Sequence, residues 1–249
     1  MFREASPPAT PPANASPARG SPARVHDRSV TDLPDALIRD HAGPTASRGL
    51  TGRADVRRLE PGERDAALAS TVAAFATDPL LRWVWPEDDR YAACAPGFFG
   101  LLLDLRRAGG EVWAAYGGAA VAMWDPPGGL YARPATDPWP ALQEGFTQRE
   151  RDCWAVYDER VGDRGSDPHW YLGVLATDPA RQRRGLAAAV VLPVLDACDR
   201  TGVPAYLETA SAGNVAYYRR FGFGSVRHVD LPDGGPQCWL LRRQPQVAR

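Results

Sequence analysis

The chain has 249 residues, of which 44% are hydrophobic, and its 30 acidic and 29 basic residues leave a formal charge of −1; so even a balance gives no support to a dominant nucleic-acid surface. All 29 bases are arginine, and without lysine the chain can build neither a P-loop nor a pyridoxal-phosphate Schiff base. Cys94, Cys153, Cys198 and Cys238 are scattered, as are His26, His41, His169 and His228, so neither a disulfide framework nor a metal site is expected, and the expected compartment is the reducing cytoplasm.

The opening run REASPPATPPANASPARGSPAR holds almost nothing to bury. Residues 1–52 are therefore expected to be a disordered Pro/Ala/Ser/Arg-rich leader, with at most a turn of helix at Asp35–Arg39. No apolar core follows the first arginines, so a cleaved secretory signal is not expected. One folded domain, 53–249, fits the remaining length.

Within that domain Val56–Leu59 reads as a short strand, and Pro61–Gly62 opens a helix through Phe75. Tyr91–Arg107 carries Phe98, Leu101, Leu102 and Leu105 at helical spacing. Glu111–Tyr116 and Ala119–Trp124 read as strands joined by Gly117–Gly118, a hairpin turn signal. Trp139–Val161 reads as one helix, Trp170–Thr177 as a strand, and Gly185–Arg200 as a helix that Pro193 should kink. Its longest apolar stretch, Leu186–Leu195, is too short to cross a bilayer, so no membrane association is expected. Ala205–Thr209 is an apolar strand, Val215–Phe221 a short helix, and Val226–Leu231 with Cys238–Arg242 a closing hairpin. This order predicts an α/β (α+β) fold: a mixed, mostly antiparallel central sheet with helices on both faces.

The stretch richest in chemistry follows the strand ending at Thr177. Arg181-Gln182-Arg183-Arg184-Gly185-Leu186-Ala187 places a glycine turn at the start of a helix whose first N–H groups lack intrahelical partners. Acids normally favour a helix N-terminus, yet none occurs between Asp178 and Asp196, while three arginines crowd the opening. An empty helix gains nothing from that arrangement. A bound pyrophosphate would supply the missing counter-charge; the alternative is an ordinary helix start with solvated arginines.

Gln182-Arg183-Arg184-Gly185-Leu186-Ala187 resembles the Gln/Arg-x-x-Gly-x-Gly/Ala signature of the GNAT superfamily of N-acetyltransferases. Leu175-Ala176-Thr177-Asp178-Pro179 and Asn214-Val215-Ala216-Tyr217-Tyr218-Arg219-Arg220-Phe221-Gly222-Phe223 are similar to its flanking patterns. Within that family the chain looks most like the puromycin N-acetyltransferases, through Ala189–Pro193, Gly202–Ala205 and Leu207–Thr209. Arg183 and Ala187 stand where many relatives have glycine, and Ala210 where serine is common.

The resemblance implies acetyl-CoA as co-substrate, held by Leu175, Ala176, Thr177, Gln182, Arg183, Arg184, Gly185, Leu186, Ala187, Ala188 and Asn214. A backbone N–H at Leu175 or Ala176 would polarise the thioester carbonyl. Tyr218 occupies the family's position for the group that meets the departing thiolate. A thiol titrates near 8.5 and a tyrosine near 10, so full proton transfer is uphill by about 2 kcal/mol and hydrogen-bond donation is expected instead. Glu208, on an apolar strand, has two readings: general base for the amine, or structural acid bonded to backbone N–H groups. Asn214 reads equally as a cofactor contact or as the cap of its helix.

For the acceptor, Trp83, Trp85, Trp124, Tyr131, Trp139, Trp154 and Tyr157 supply aromatic surface, with Glu87, Asp88, Asp89 and Asp125 near them in sequence. Rings with acids suit a cationic amine, although most of these tryptophans are expected in the core and only two or three of the rings at a pocket. The expected activity is acetyl transfer to a primary amine of a small molecule, with an antibiotic such as puromycin among the candidates. A peptide or protein N-acetyltransferase and a non-catalytic acyl-CoA-binding regulator are the alternatives, and monomer and homodimer are both compatible with the sequence.

Overall fold

In the computed structural model, residues 55–130, 134–163 and 165–246 are described. The leader, the Asp35–Arg39 segment and Tyr131 lie outside them. The chain order is β1 (Arg57–Arg58), a 3-10 turn (Pro61–Glu63), α1 (Arg64–Ala74), α2 (Pro79–Val84), α3 (Asp88–Gly109), β2 (Glu111–Ala115) and β3 (Ala120–Asp125). There follow α4 (Trp139–Gln143), α5 (Gln148–Val161), β4 (Trp170–Thr177), a 3-10 turn (Pro179–Arg181), α6 (Leu186–Thr201), β5 (Ala205–Thr209), α7 (Ala212–Arg219), β6 (Gly224–Asp230) and β7 (Gln237–Arg243).

The seven strands form one sheet in the order β1-β2-β3-β4-β5-β7-β6. Every neighbouring pair is antiparallel except β4–β5. One face packs on α1, α3 and α5 through residues such as Phe99, Leu103 and Tyr157. The other packs on α6 and α7 through Val190, Val194 and Tyr218. The expected mixed, mostly antiparallel sheet with helices on both faces is what the chain forms. No helix of the described residues is long and apolar enough to cross a membrane.

Two helical expectations need correction. Trp139–Val161 is two helices, because Thr147 starts a new one: its hydroxyl accepts from Glu150 N while the Glu150 carboxylate accepts from Thr147 N at 2.8 Å. This reciprocal cap satisfies donors that a continuous helix would have paired internally. Helix α2 was not expected at all. Asp78 caps it, with Oδ1 accepting from Leu80 N and Leu81 N, and Pro79 supplies a preset first residue. Helix α6 runs as one element through Pro193.

Strand β4 contains the irregularity that shapes the molecule. Its ladder with β3 pairs Met123 with Val174 but Trp124 with Leu172, which leaves Gly173 as an extra, bulged residue. A bulge bends its strand and reverses the facing of the residues beyond it. Trp170 and Leu172 accordingly point into the α6 side, whereas Val174 and Ala176 point into the α1/α3 side. Glycine is needed here because a Cβ would lie 2.5 Å from Arg106 Nη2 and 3.2 Å from Tyr171 Cε1. Arg106 cannot easily give way, since it is buried and its Nη2 donates to Asp125 Oδ2 at 2.8 Å.

Candidate active site

Strands β4 and β5 pair only at Trp170–Ala205 and Tyr171–Tyr206. Past the bulge they part. Strand β4 stays with β3 as far as Thr177, and β5 stays with β7 as far as Thr209. From Leu172 to Thr177 the edge of β4 facing β5 therefore has no strand partner, and Leu175, Ala176 and Thr177 all lie along it. Thr177 Oγ1 is buried there without a hydrogen-bond partner among the described residues. An unpartnered buried hydroxyl is costly unless something else bonds it.

The sequence then turns sharply into α6. Asp178 Oδ1 accepts from Ala180 N at 2.9 Å to hold the 3-10 turn, and Gln182 Nε2 reaches Thr177 O at 3.4 Å. Arg183 (φ +61°) and Gly185 (φ +79°) both adopt left-handed backbone on either side of Arg184. A Cβ at Gly185 would meet nothing within 4 Å, so the backbone conformation, not crowding, calls for glycine. Arg183 holds the same backbone without a glycine's freedom and so carries strain.

Helix α6 has no side-chain cap and no acid in its first turn, and its first helical bond is Ala189 N to Gly185 O at 3.0 Å. The amides of Leu186, Ala187 and Ala188 precede that bond. Residues 181–185 are exposed, and Arg181, Arg183 and Arg184 make no ion pair among the described residues. Free amides, the positive end of the helix dipole and unpaired guanidiniums together form a setting for an anion.

Tyr218 and Glu208 approach the parting from opposite faces of the sheet. Tyr218 on α7 is 8% exposed and packs edge-on against Tyr217 and Phe223. Burial pushes its pKa above the ordinary tyrosine value, and the negative charge potential of Tyr217, Glu208 and Asp78 pushes it the same way. Glu208 on β5 is half-buried on the α5 side, where its Oε1 accepts from the Tyr157 hydroxyl at 2.7 Å and also from the Tyr171 hydroxyl. Both partners are side chains, from α5 and β4, and neither was singled out with Glu208 from the sequence. They lie 51 and 37 residues away along the chain, so no local pattern could have paired them.

Asn214 does not cap its helix. Helix α7 begins at Ala212 after Ser211, which places Asn214 inside the first turn with Nδ2 donating to Thr209 Oγ1 at 3.2 Å. The expectation that most of the tryptophans belong to the core agrees with the structure. Trp83, Trp85, Trp124 and Trp154 are core residues, and Trp85 sits edge-on to Phe98, Phe146 and Trp154. Glu87, Asp88 and Asp89 are exposed at the start of α3, where acids favour the helix dipole, and Asp88 pairs with Arg82. Among the described residues of the aromatic set, Tyr157 contacts a candidate catalytic group, Glu208.

Among the described residues, the mixed sheet parts at its one parallel pair, with an uncapped helix start after β4. The chain belongs to the acetyltransferase (GNAT) family, whose model matches residues 55–223. It is 23% identical over 206 residues to an uncharacterised N-acetyltransferase of Schizosaccharomyces pombe, an alignment covering 77% of this chain and 83% of that protein. Among solved structures it is similar to one from Corynebacterium glutamicum described as histone acetyltransferase HPA2 and related acetyltransferase. That likeness has a TM-score of 0.58 at 22% identity and covers 78% of this chain and 98% of the other. Arylalkylamine N-acetyltransferase 2 of Aedes aegypti is similar with a TM-score of 0.52 at 11% identity, over 78% of this chain and all of that one. At these identities the structural likeness is one of fold.

Proposed function

We infer that the chain transfers an acetyl group from acetyl-CoA to the primary amine of a small molecule. The observation that carries this reading is the parting of β4 from β5 after two paired residues, with free α6 amides at its mouth. The residues present fit the co-substrate. The orphaned Thr177 hydroxyl and the unpaired edge at Leu175 and Ala176 offer hydrogen bonds to an amide-bearing arm. Gln182, Arg183, Arg184 and Gly185, with the amides of Leu186, Ala187 and Ala188, suit a pyrophosphate, and Asn214 of α7 donates to Thr209 at the end of β5. When bound, acetyl-CoA supplies an activated acetyl thioester.

The chain's own groups divide the remaining work. A backbone N–H of Leu175 or Ala176 donates to the carbonyl oxygen as charge develops on it. Glu208 takes a proton from the attacking amine, and Tyr218 donates a hydrogen bond to the sulfur as it leaves. A small acceptor is favoured because the Tyr157 hydroxyl of α5 donates to the Glu208 carboxylate, so that a helix stands against the candidate base. The sequence likeness to puromycin N-acetyltransferases makes puromycin the first acceptor to try. The four cysteines stand as buried free thiols, which supports a reducing, cytoplasmic setting.

The test is multiple-turnover release of coenzyme A with puromycin and a panel of small amines. Amine-dependent release supports the reading. Coenzyme A binding without turnover on any amine overturns it in favour of a regulator, and turnover on peptides alone overturns it in favour of peptide acetylation. Gly185→Ala probes the cradle separately. Left-handed backbone costs a non-glycine residue roughly 1–2 kcal/mol, so the free loop relaxes away and binding must restore it. Calorimetry is expected to show roughly tenfold weaker coenzyme A binding, and unchanged affinity would remove the cradle from the site.

A further inference from the structure

Glu208 lies just past Tyr206, the last residue of β5 paired with β4, and alternation along the strand puts both on one face of the sheet. A long carboxylate side chain beside an opening has many rotamers, and fixing one costs up to about 2 kcal/mol. Two other elements fix it. The Tyr157 hydroxyl of α5 donates to Oε1 at 2.7 Å, and the Tyr171 hydroxyl of β4 donates to the same oxygen. Hydrogen bonds to an ionised oxygen are among the stronger ones, and two from different directions set its orientation as well as its place.

Each tyrosine is held in turn. Tyr157 is buried, with its ring edge-on to Trp154 at 5.8 Å, and Trp154 is stacked on Phe98 at 4.9 Å. Tyr171 pairs with Asp125 of β3 and Tyr206 of β5, just before the bulge. The missing Cβ of Gly173 leaves room for the Tyr171 ring and the Arg106 guanidinium together, since a Cβ there would lie 3.2 Å from Tyr171 Cε1 and 2.5 Å from Arg106 Nη2. Arg106 is anchored by Asp125. The ring stack on α3 and α5 thus stands behind one donor, and the bulge with its buried ion pair behind the other.

We propose that Tyr157 and Tyr171 are positioning residues for acetyl transfer, holding the Glu208 carboxylate where the acceptor amine meets it. This rests on the reading of Glu208 as the base. In the step itself the amine N–H bond breaks and an O–H bond forms on Glu208. The nitrogen lone pair forms the C–N bond to the acetyl carbon, and the C–S bond breaks with its electron pair on sulfur. Neither Tyr157 nor Tyr171 gains or loses a proton. Their contribution is geometric: a base must stand within hydrogen-bond reach of the proton it takes, and a misplacement of about 1 Å costs up to about 100-fold in rate.

Tyr157→Phe and Tyr171→Phe each remove one donor and keep the ring, and thermal unfolding of each reports whether the fold is retained. Coenzyme A release is followed with whichever of puromycin and the small amines the native protein uses fastest. Each variant is expected to lose roughly tenfold in kcat while KM for acetyl-CoA stays unchanged. In a Glu208→Gln background, where no carboxylate remains to take the proton, the same substitutions are expected to change kcat less than about twofold. A pair that served only the fold would act alike in both backgrounds. Near-native kcat in both single variants, or the full loss repeated in the Glu208→Gln background, overturns the positioning role and leaves the acetyl-transfer reading standing. A Glu208→Gln protein with the native rate and acidic limb overturns the base assignment, and this inference with it. No amine-dependent release by the native protein overturns the acetyl-transfer reading itself.

Discussion

Tyr218→Phe is expected to lower the rate of acetyl transfer by roughly 100-fold while leaving calorimetric binding of acetyl-CoA unchanged. The ring is embedded between Tyr217 and Phe223, and phenylalanine fills the same space. The hydroxyl holds no hydrogen bond within the described residues, so its removal breaks no folding contact there. What is lost is a donor to developing negative charge on sulfur, in surroundings that exclude most water. Burial raises the Tyr218 pKa above its ordinary value. Proton transfer to a thiolate that titrates near 8.5 is therefore even less favourable than for a free tyrosine. The hydroxyl should act as a donor that keeps its proton, and a raised pKa keeps the protonated form dominant as pH climbs. No alkaline loss of rate should arise from Tyr218 up to about pH 10, the ordinary tyrosine value. A variant with a near-native rate would remove Tyr218 from the chemistry.

Glu208→Gln should reduce kcat/KM by a similar factor, roughly 100-fold, and flatten the acidic limb of the pH–rate profile. The substitution preserves shape, and the amide oxygen still accepts from Tyr157 and Tyr171. Folding stability should therefore change little, whereas the capacity to take a proton is gone. In the native protein the base works only when deprotonated, so the rate falls as pH falls; the variant has no such group to lose. An acidic limb identical to the native one would mean that Glu208 serves to position the two tyrosines, and the search for the base would move to other groups at the parting.

The parts of the fold that could be read from sequence are those in which a single segment decides its own structure. Trp170–Thr177 and Ala205–Thr209 are strands with the bounds expected, because short apolar runs flanked by turn residues have few alternatives. The α6 start was legible from Gly185 and the missing acids. Helix α2 carried its signal in Asp78-Pro79, but six residues are too few for periodicity to show. The new start at Thr147 was written in the Thr147–Glu150 spacing and lay hidden inside a longer helical pattern.

The candidate site was harder because its contacts join distant segments. Nothing near Glu208 points to Tyr157 or Tyr171, and the tryptophans, expected mostly in the core, pack there on other rings, since large rings gain most from full burial. The bulge was invisible for another reason. Trp170, Leu172, Val174 and Ala176 are all buried at even positions, so the alternation continues unbroken while the face it occupies changes.

That reversal at Gly173 divides one strand between two separately packed layers. Trp170 and Val174, four residues apart and roughly 13 Å along the chain, answer to different neighbours. Truncating both should give a double-mutant coupling close to zero, the independence expected of sites without shared partners. Variation that reshapes the layer beneath α3 and α5, where Glu208 meets Tyr157, can then accumulate without disturbing the layer that seats α6. A lineage built on this strand can vary the first layer while keeping the helix start that the second one holds in place.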